Sequence, residues 1–200
     1  MITAHATEWW SRHAALLAEP WIEMYWEDWQ APHRSHILLA LALLEPQPKT
    51  LHEVGCAGGP NLRLIQEAFP QIALSGSEMV VAAGQTVARR LEISVWPGAL
   101  PRVLHDTPKA DVYLSSYTLA YLDPGDARLA LERMGKLAQT MILMEPMPLP
   151  GQPEGESRQD LPEWRHEYAH LLPEGWHVAW RWPIIPQKEN LNTLLIAQRG

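Results

Sequence analysis

At 200 residues the chain has room for one domain with a substantial core, so one site is expected. Hydrophobic residues make up 46% and charged residues 20%, which excludes disordered and fibrous classes. A formal net charge of −7, with no dense run of Lys or Arg, argues against nucleic acid as a partner.

The longest apolar run, residues 37–44, is too short to cross a bilayer, and the N-terminus lacks the pattern of a signal peptide. A cytoplasmic protein with no membrane partner is the expectation. The single cysteine, Cys56, excludes an intramolecular disulfide and fits a reducing compartment. Ten tryptophans stand against one phenylalanine, and Trp9, Trp10, Trp21, Trp26 and Trp29 crowd the first thirty residues. Packing of amphipathic helices explains that crowding more simply than an aromatic lid over a substrate.

In chain order, Thr7 can cap a helix running to Ala18, and a second opens at Pro20 or Trp21 and ends near Gln30. Pro32 suits a first helical turn, after which Ile37, Leu38, Leu41 and Leu44 recur at helical spacing until Pro46. Residues 50–55 predict a buried strand, 61–69 a helix, 71–77 a strand, 81–91 a helix and 92–96 a strand. Strands are predicted again at 111–115 and 140–144. Between them Asp123 caps a helix with Pro124 at its first position and Leu129, Leu131, Met134 and Leu137 as its apolar stripe. Residues 146–155 read as a long loop and 161–172 as a helix. Two strands at 177–182 and 191–198, with no helix between them, suggest an antiparallel edge pair. Strands alternating with helices imply a parallel sheet covered on both faces.

The segment from Leu51 to Asn61 lies where a strand hands over to a helix, the place where open parallel sheets bind ligands. Small residues at Gly55, Ala57, Gly58 and Gly59 let the backbone approach a ligand, and the helix N-terminus favours an anionic group. Glu78 comes nineteen residues after Gly59, where a carboxylate can accept from both hydroxyls of a ribose. A nicotinamide fingerprint would need glycines at positions occupied by Ala57 and Pro60. An acid followed by small residues at two, four and six positions on is met by Glu53, Gly55, Ala57 and Gly59.

On these residues the chain resembles the class I S-adenosylmethionine-dependent methyltransferase family, with Ala57 where that family usually has glycine. Gly76 to Glu78 resembles the family's second-strand ending. Trp96 to Leu100 stands at the third, with Ala99 where an acid is common. Asp111 to Pro124 resembles the fourth strand and the helix after it, and Ile142 to Pro146 the fifth strand. The resemblance implies a Rossmann-like α/β fold: a mainly parallel seven-stranded sheet, an antiparallel C-terminal hairpin, and helices on both faces. It implies one domain, with residues 1–46 as a helical cap and 47–200 as the core. The cofactor it implies is S-adenosylmethionine, leaving as S-adenosylhomocysteine. Its site would comprise Glu53, Gly55, Cys56, Ala57, Gly59, Asn61, Glu78, Met79, Gly98, Ala99, Leu100, Ser115 and Ser116. The acidic charge and absence of a docking domain favour a small-molecule acceptor, and a monomer or homodimer. Candidate bases beside the acceptor are Tyr25, His33, Tyr117 and His166.

His166 to His170 also spells H-E-x-x-H, in which two imidazoles one helical turn apart hold zinc and the Glu activates water. The extended form would require glycine and histidine where Pro173 and Trp176 stand, so no metal site is expected. A third reading keeps the fold as a non-catalytic scaffold, which Ala57 and Ala99 make conceivable.

Overall fold

The computed structural model describes Trp26 and residues 31–148, 163–187 and 190–200. Apart from Trp26, the two helices expected before residue 31 lie outside the described residues, Tyr25 included, as does most of the loop expected at 146–155.

Helix α1 (Ala31–Ala42) buries Ile37 and Leu41 of the expected stripe together with Ala40, while Leu38 is half-buried and Leu44 is buried just past the helix end. Helix C-termini leave carbonyls without intrahelical partners, and the Gln47 amide donates to that of Ala42 at 3.2 Å and, just past the helix, to that of Leu44 at 2.9 Å. Strand and helix then alternate: β1 (Thr50–Val54), α2 (Pro60–Ala68), β2 (Ala73–Glu78), α3 (Val81–Leu91), β3 (Ser94–Pro97) and β4 (Ala110–Ser116). Helix α4 (Pro124–Leu137) opens as its sequence dictates, Asp123 Oδ1 accepting from the Asp126 N–H at 3.0 Å. Strand β5 (Ala138–Pro148), α5 (Tyr168–Leu171), β6 (Trp176–Gln187) and β7 (Asn190–Arg199) complete the chain.

The seven strands form one sheet in the order β3-β2-β1-β4-β5-β7-β6, in which β7 alone runs against the rest. Alternation along each strand divides the core. Leu51, Val112, Leu114, Ile142 and Met144 face α1, α2 and α3, whereas Val54, Tyr113, Met141 and Leu143 face α4 and α5. The expected doubly covered, mainly parallel sheet and antiparallel C-terminal pair are both present.

Four expectations need correction. Leu129, expected in the apolar stripe of α4, is exposed, and β6 runs on past Trp182 to Gln187. Strand β5 runs past Met144 through Pro148, because β7 pairs with it along the whole length. The helix expected over 161–172 shrinks to the four residues of α5. Residues 163–167 are not helical. Instead the Trp164 N–H donates to the Ala120 carbonyl at 2.5 Å and His166 Nε2 to the Leu122 carbonyl at 3.0 Å, so tertiary pairing overrides helical periodicity.

One buried polar group sits inside the sheet. His52 on β1 lies with Nδ1 2.9 Å from Ser75 Oγ and Nε2 3.3 Å from Ser77 Oγ, against the rings of Tyr113 and Trp96. Burial lowers its pKa to about 3.

Candidate functional site

Strand order reverses between β1 and β4, whose neighbours lead away in opposite directions, and it is above the C-terminal strand ends at such a reversal that open sheets form their binding crevice. Register aligns those ends: Val54 pairs with Ser77 and Ser115, Ser77 with Trp96, and Ser115 with Leu143. The residues just after each strand therefore converge on one rim.

The turn out of β1 holds three left-handed residues, Gly55 (φ 63), Ala57 (φ 48) and Gly59 (φ 73). At Gly55 a Cβ would lie 2.4 Å from Thr118 Cγ2, and at Gly59 it would lie 2.9 Å from Val87 Cγ1. Glycine is required at both places, by backbone angle and by close approach. Ala57 adopts the same backbone region with a methyl group in place. Cys56 turns its thiol inward against Gly76, and burial raises its pKa far above the thiol range, so its side chain is packing.

Glu78 ends β2 and is 5% exposed. Its Oε2 accepts from the Ala57 N–H and its Oε1 from the Val80 N–H, each at 2.8 Å, so one carboxylate bridges the glycine turn and the start of α3. Burial raises its pKa against the lowering effect of these N–H donors. Met79 adjoins it, and the Gly98 N–H donates to the Glu78 carbonyl at 3.0 Å, which brings Gly98, Ala99 and Leu100 to the same wall. Glu53, from the end of β1, takes a 2.6 Å hydrogen bond from Asn61 Nδ2. Burial lifts its pKa to about 8, opposed by Asn61 and the nearby Arg34 charge. Glu53 Oε2 and Asn61 Oδ1 are buried acceptors without a protein donor.

Across the crevice, the loop after β4 hangs on Glu145, which lies within β5. This carboxylate is inaccessible to solvent and accepts from Ser115 Oγ at 2.6 Å and from the N–H groups of Thr118 (3.0 Å), Leu119 (3.2 Å) and Ala120 (3.4 Å). Burial lifts its pKa to about 7 despite those donors. Sequence reasoning missed Glu145 as a site residue, since its role depends on the loop folding back onto β5. The Ser115 hydroxyl is engaged by Glu145 and not by the crevice, while Ser116 and Tyr117 stand half-buried on the rim. Tyr117 has a left-handed backbone (φ 52), and its ring meets that of His33 edge-on, centroids 5.6 Å apart. Burial, then Arg34 and His36, lowers the His33 pKa to about 4, leaving a neutral imidazole. Burial and the carboxylates of Glu145 and Glu163 raise the Tyr117 phenol.

Of the four candidate bases, then, His33 and Tyr117 come together at the rim. Tyr25 lies outside the described residues. His166 is 2% exposed, stacks on Trp164 and gives its Nε2 proton to Leu122, facing the protein interior. The H-E-x-x-H spacing does not produce zinc geometry, because His166 precedes the helix that contains His170. Glu167 pairs with Arg181 at 2.8 Å, and among the described residues no group of three or more His, Cys, Asp or Glu side chains could hold a metal. Trp26 donates from Nε1 to the Gly58 carbonyl at 2.6 Å and packs on Ala57, Val80 and Ala83 between the guanidinium groups of Arg63 and Arg90. It therefore packs against the outside of the glycine turn, a structural use of at least one N-terminal tryptophan.

No family model matches the sequence, and no curated protein matches it. Solved structures do. A magnesium protoporphyrin IX methyltransferase from Synechocystis, crystallised with S-adenosylhomocysteine, matches with a TM-score of 0.65 at 14% identity, covering 86% of this chain and 86% of its own. A sugar N-methyltransferase from Streptoalloteichus matches with a TM-score of 0.62 at 16% identity, over 84% of this chain and 87% of its own. A mitomycin 7-O-methyltransferase matches with a TM-score of 0.61 at 16% identity, over 84% of this chain but 54% of its own, so the present chain spans about half its length. The fold is the one these methyltransferases share.

Proposed function

We propose that this chain is an S-adenosylmethionine-dependent methyltransferase acting on a small-molecule acceptor, one catalytic domain in which residues 1–46 form a helical cap. The observation that carries the reading is the Glu78 carboxylate, held at the end of β2 by the N–H groups of Ala57 and Val80, at the edge of a left-handed glycine turn. A carboxylate there suits the paired hydroxyls of a ribose, and the turn suits a backbone approach that side chains would block.

The residues present fit the cofactor. Glu53 Oε2 and Asn61 Oδ1 are adjacent buried acceptors that want a donor, and an α-ammonium group is one. Glu78 would take the ribose hydroxyls, and the backbone at Gly98, Ala99 and Leu100 would flank the base. S-adenosylmethionine supplies an already activated methyl on a sulfonium. The protein is left to align an acceptor and exclude water, an effect worth ~7–11 kcal/mol when the reacting atoms are well placed. His33 and Tyr117 line the acceptor side, where burial keeps His33 neutral at pH 7 and lowers its basicity, so it can accept a hydrogen bond from the acceptor rather than take its proton. No observation favours the peptidase or scaffold readings over this one.

Calorimetry with S-adenosylmethionine and S-adenosylhomocysteine tests the assignment. Both should bind, and Glu78→Ala should weaken binding by about tenfold or more, the cost of losing charged hydrogen bonds. Failure of the wild-type protein to bind either nucleoside would overturn it and leave the scaffold reading.

A further inference from the structure

Trp26 meets the glycine turn at the peptide unit that its sequence leaves freest. Glycines stand on both sides of the unit joining Gly58 to Gly59, so that unit can flip at little steric cost. In the structure it is held at both ends. The Gly58 carbonyl accepts from Trp26 Nε1 at 2.6 Å, and the Gly59 N–H donates to the Cys56 carbonyl at 2.7 Å. The indole is fixed in its turn, since the guanidinium groups of Arg63 and Arg90 each lie 5.0 Å from its ring centroid. Trp26 also joins Ala57 and Val80 around Ala83, and these two are the residues whose N–H groups hold Glu78. One side chain therefore bears on both the turn and the anchor of the carboxylate beside it.

A flip would turn the Gly58 oxygen away from Trp26 and release the Gly59 N–H, which reshapes the turn that a ligand must approach. Protein in the flipped arrangement does not bind, so apparent affinity falls with the fraction that stays competent. Losing one neutral hydrogen bond shifts such an equilibrium about fivefold. From the Trp26 bond to Gly58 we infer that Trp26 is a positioning residue for the cofactor, its indole N–H locking the Gly58–Gly59 peptide in the arrangement that receives S-adenosylmethionine. The inference rests on the methyltransferase reading and adds to that site a residue from outside the sheet.

Two substitutions separate the N–H from the ring. Trp26→Phe keeps a six-membered ring between the guanidinium groups and loses the donor. Trp26→His has the smaller ring, but its Nε2 overlays the indole nitrogen and restores a donor at about pH 8, where histidine is neutral. By calorimetry at that pH, Trp26→Phe should bind S-adenosylhomocysteine about fivefold more weakly than wild type, and Trp26→His should return to within about twofold of it. Without ligand, the Gly59 amide should exchange with solvent faster in Trp26→Phe and recover its protection in Trp26→His. A packing role alone predicts the reverse order, because phenylalanine fills the space better. Trp26 is half-buried, so both variants should fold, and Trp26→Leu replaces Trp26→Phe as the protein without a donor if the latter does not. Wild-type affinity without the donor, a Trp26→His protein that binds no better than Trp26→Phe, or equal Gly59 exchange in all three overturns the inference. Nucleoside binding by the wild type then keeps the methyltransferase reading standing. A wild-type protein that binds no S-adenosylhomocysteine overturns both.

Discussion

Gly55 and Thr118 touch so closely that a methyl group on the glycine would sit 2.4 Å from Thr118 Cγ2 and 2.6 Å from its Oγ1. Gly55 leads the glycine turn after β1, and Thr118 belongs to the loop after β4 that Glu145 holds by its N–H groups. The two halves of the crevice are therefore in contact across one backbone position. Gly55→Ala should cost about 1–3 kcal/mol of stability, from the clash and the left-handed backbone together, and weaken S-adenosylhomocysteine binding. Thr118→Ala in the same chain should recover part of the loss by removing both clashing atoms. Urea unfolding of the single and double variants measures the coupling.

Ala57 makes the opposite case. Its φ of 48 places an L-residue in a region that costs roughly 1–2 kcal/mol, whereas glycine there costs only its extra unfolded-state entropy of roughly 0.5–1 kcal/mol. Ala57→Gly should therefore raise stability by up to about 1 kcal/mol, and the N–H that serves Glu78 remains in place. A lower urea midpoint for the variant would show that the alanine methyl contributes packing worth more than the strain.

The buried His52 sets an acid limit. Its folded pKa of about 3 lies below the unfolded value of 6.5. Between those values the unfolded chain binds a proton that the folded chain does not. His52 thus contributes stability that is intact above pH 6.5 and is lost as pH falls toward about 3, at about 1.4 kcal/mol per pH unit. Glu53 and Glu145, raised by burial to about 8 and about 7, act with the opposite sign as pH climbs above 4.5. The comparison should accordingly be made between wild type and His52→Gln, in which the other groups cancel. The variant's unfolding free energy should fall less steeply with acid by that slope, and parallel curves would refute the assignment.

The two histidines of the H-E-x-x-H string should behave unlike a ligand pair. His166→Ala removes a buried imidazole and strands the Leu122 carbonyl, costing about 1–3 kcal/mol, while His170→Ala, at an exposed position, should change stability by less than about 0.5 kcal/mol. Neither loss should depend on added zinc or chelator, as thermal melts with and without each will show.

What the sequence made legible was governed by local rules. Asp123 and Pro124 announced α4 because a cap and a fixed φ act within one turn. Gly55, Ala57 and Gly59 announced a tight strand-to-helix turn for the same reason, and that turn is left-handed at all three. Illegible features depend on partners distant in sequence. Glu145 is thirty residues from Ser115, and only the alignment of β4 with β5 brings them together. Residues 163–167 carry a helical pattern, yet their polar groups find better partners at Ala120 and Leu122. Tyr117 and His33 could be proposed separately from sequence, but their contact required α1 to pack over the end of β4.

The reversed direction of β7 has a practical consequence. Because Gln198 pairs with Thr140 at the beginning of β5, and Gly200 reaches back to the Gly175 carbonyl, residue 200 emerges on the side of the sheet opposite the crevice. Anchoring the protein to a sensor surface through that residue would leave the mouth facing solution, so immobilised assays of nucleoside capture can be run without obstructing entry.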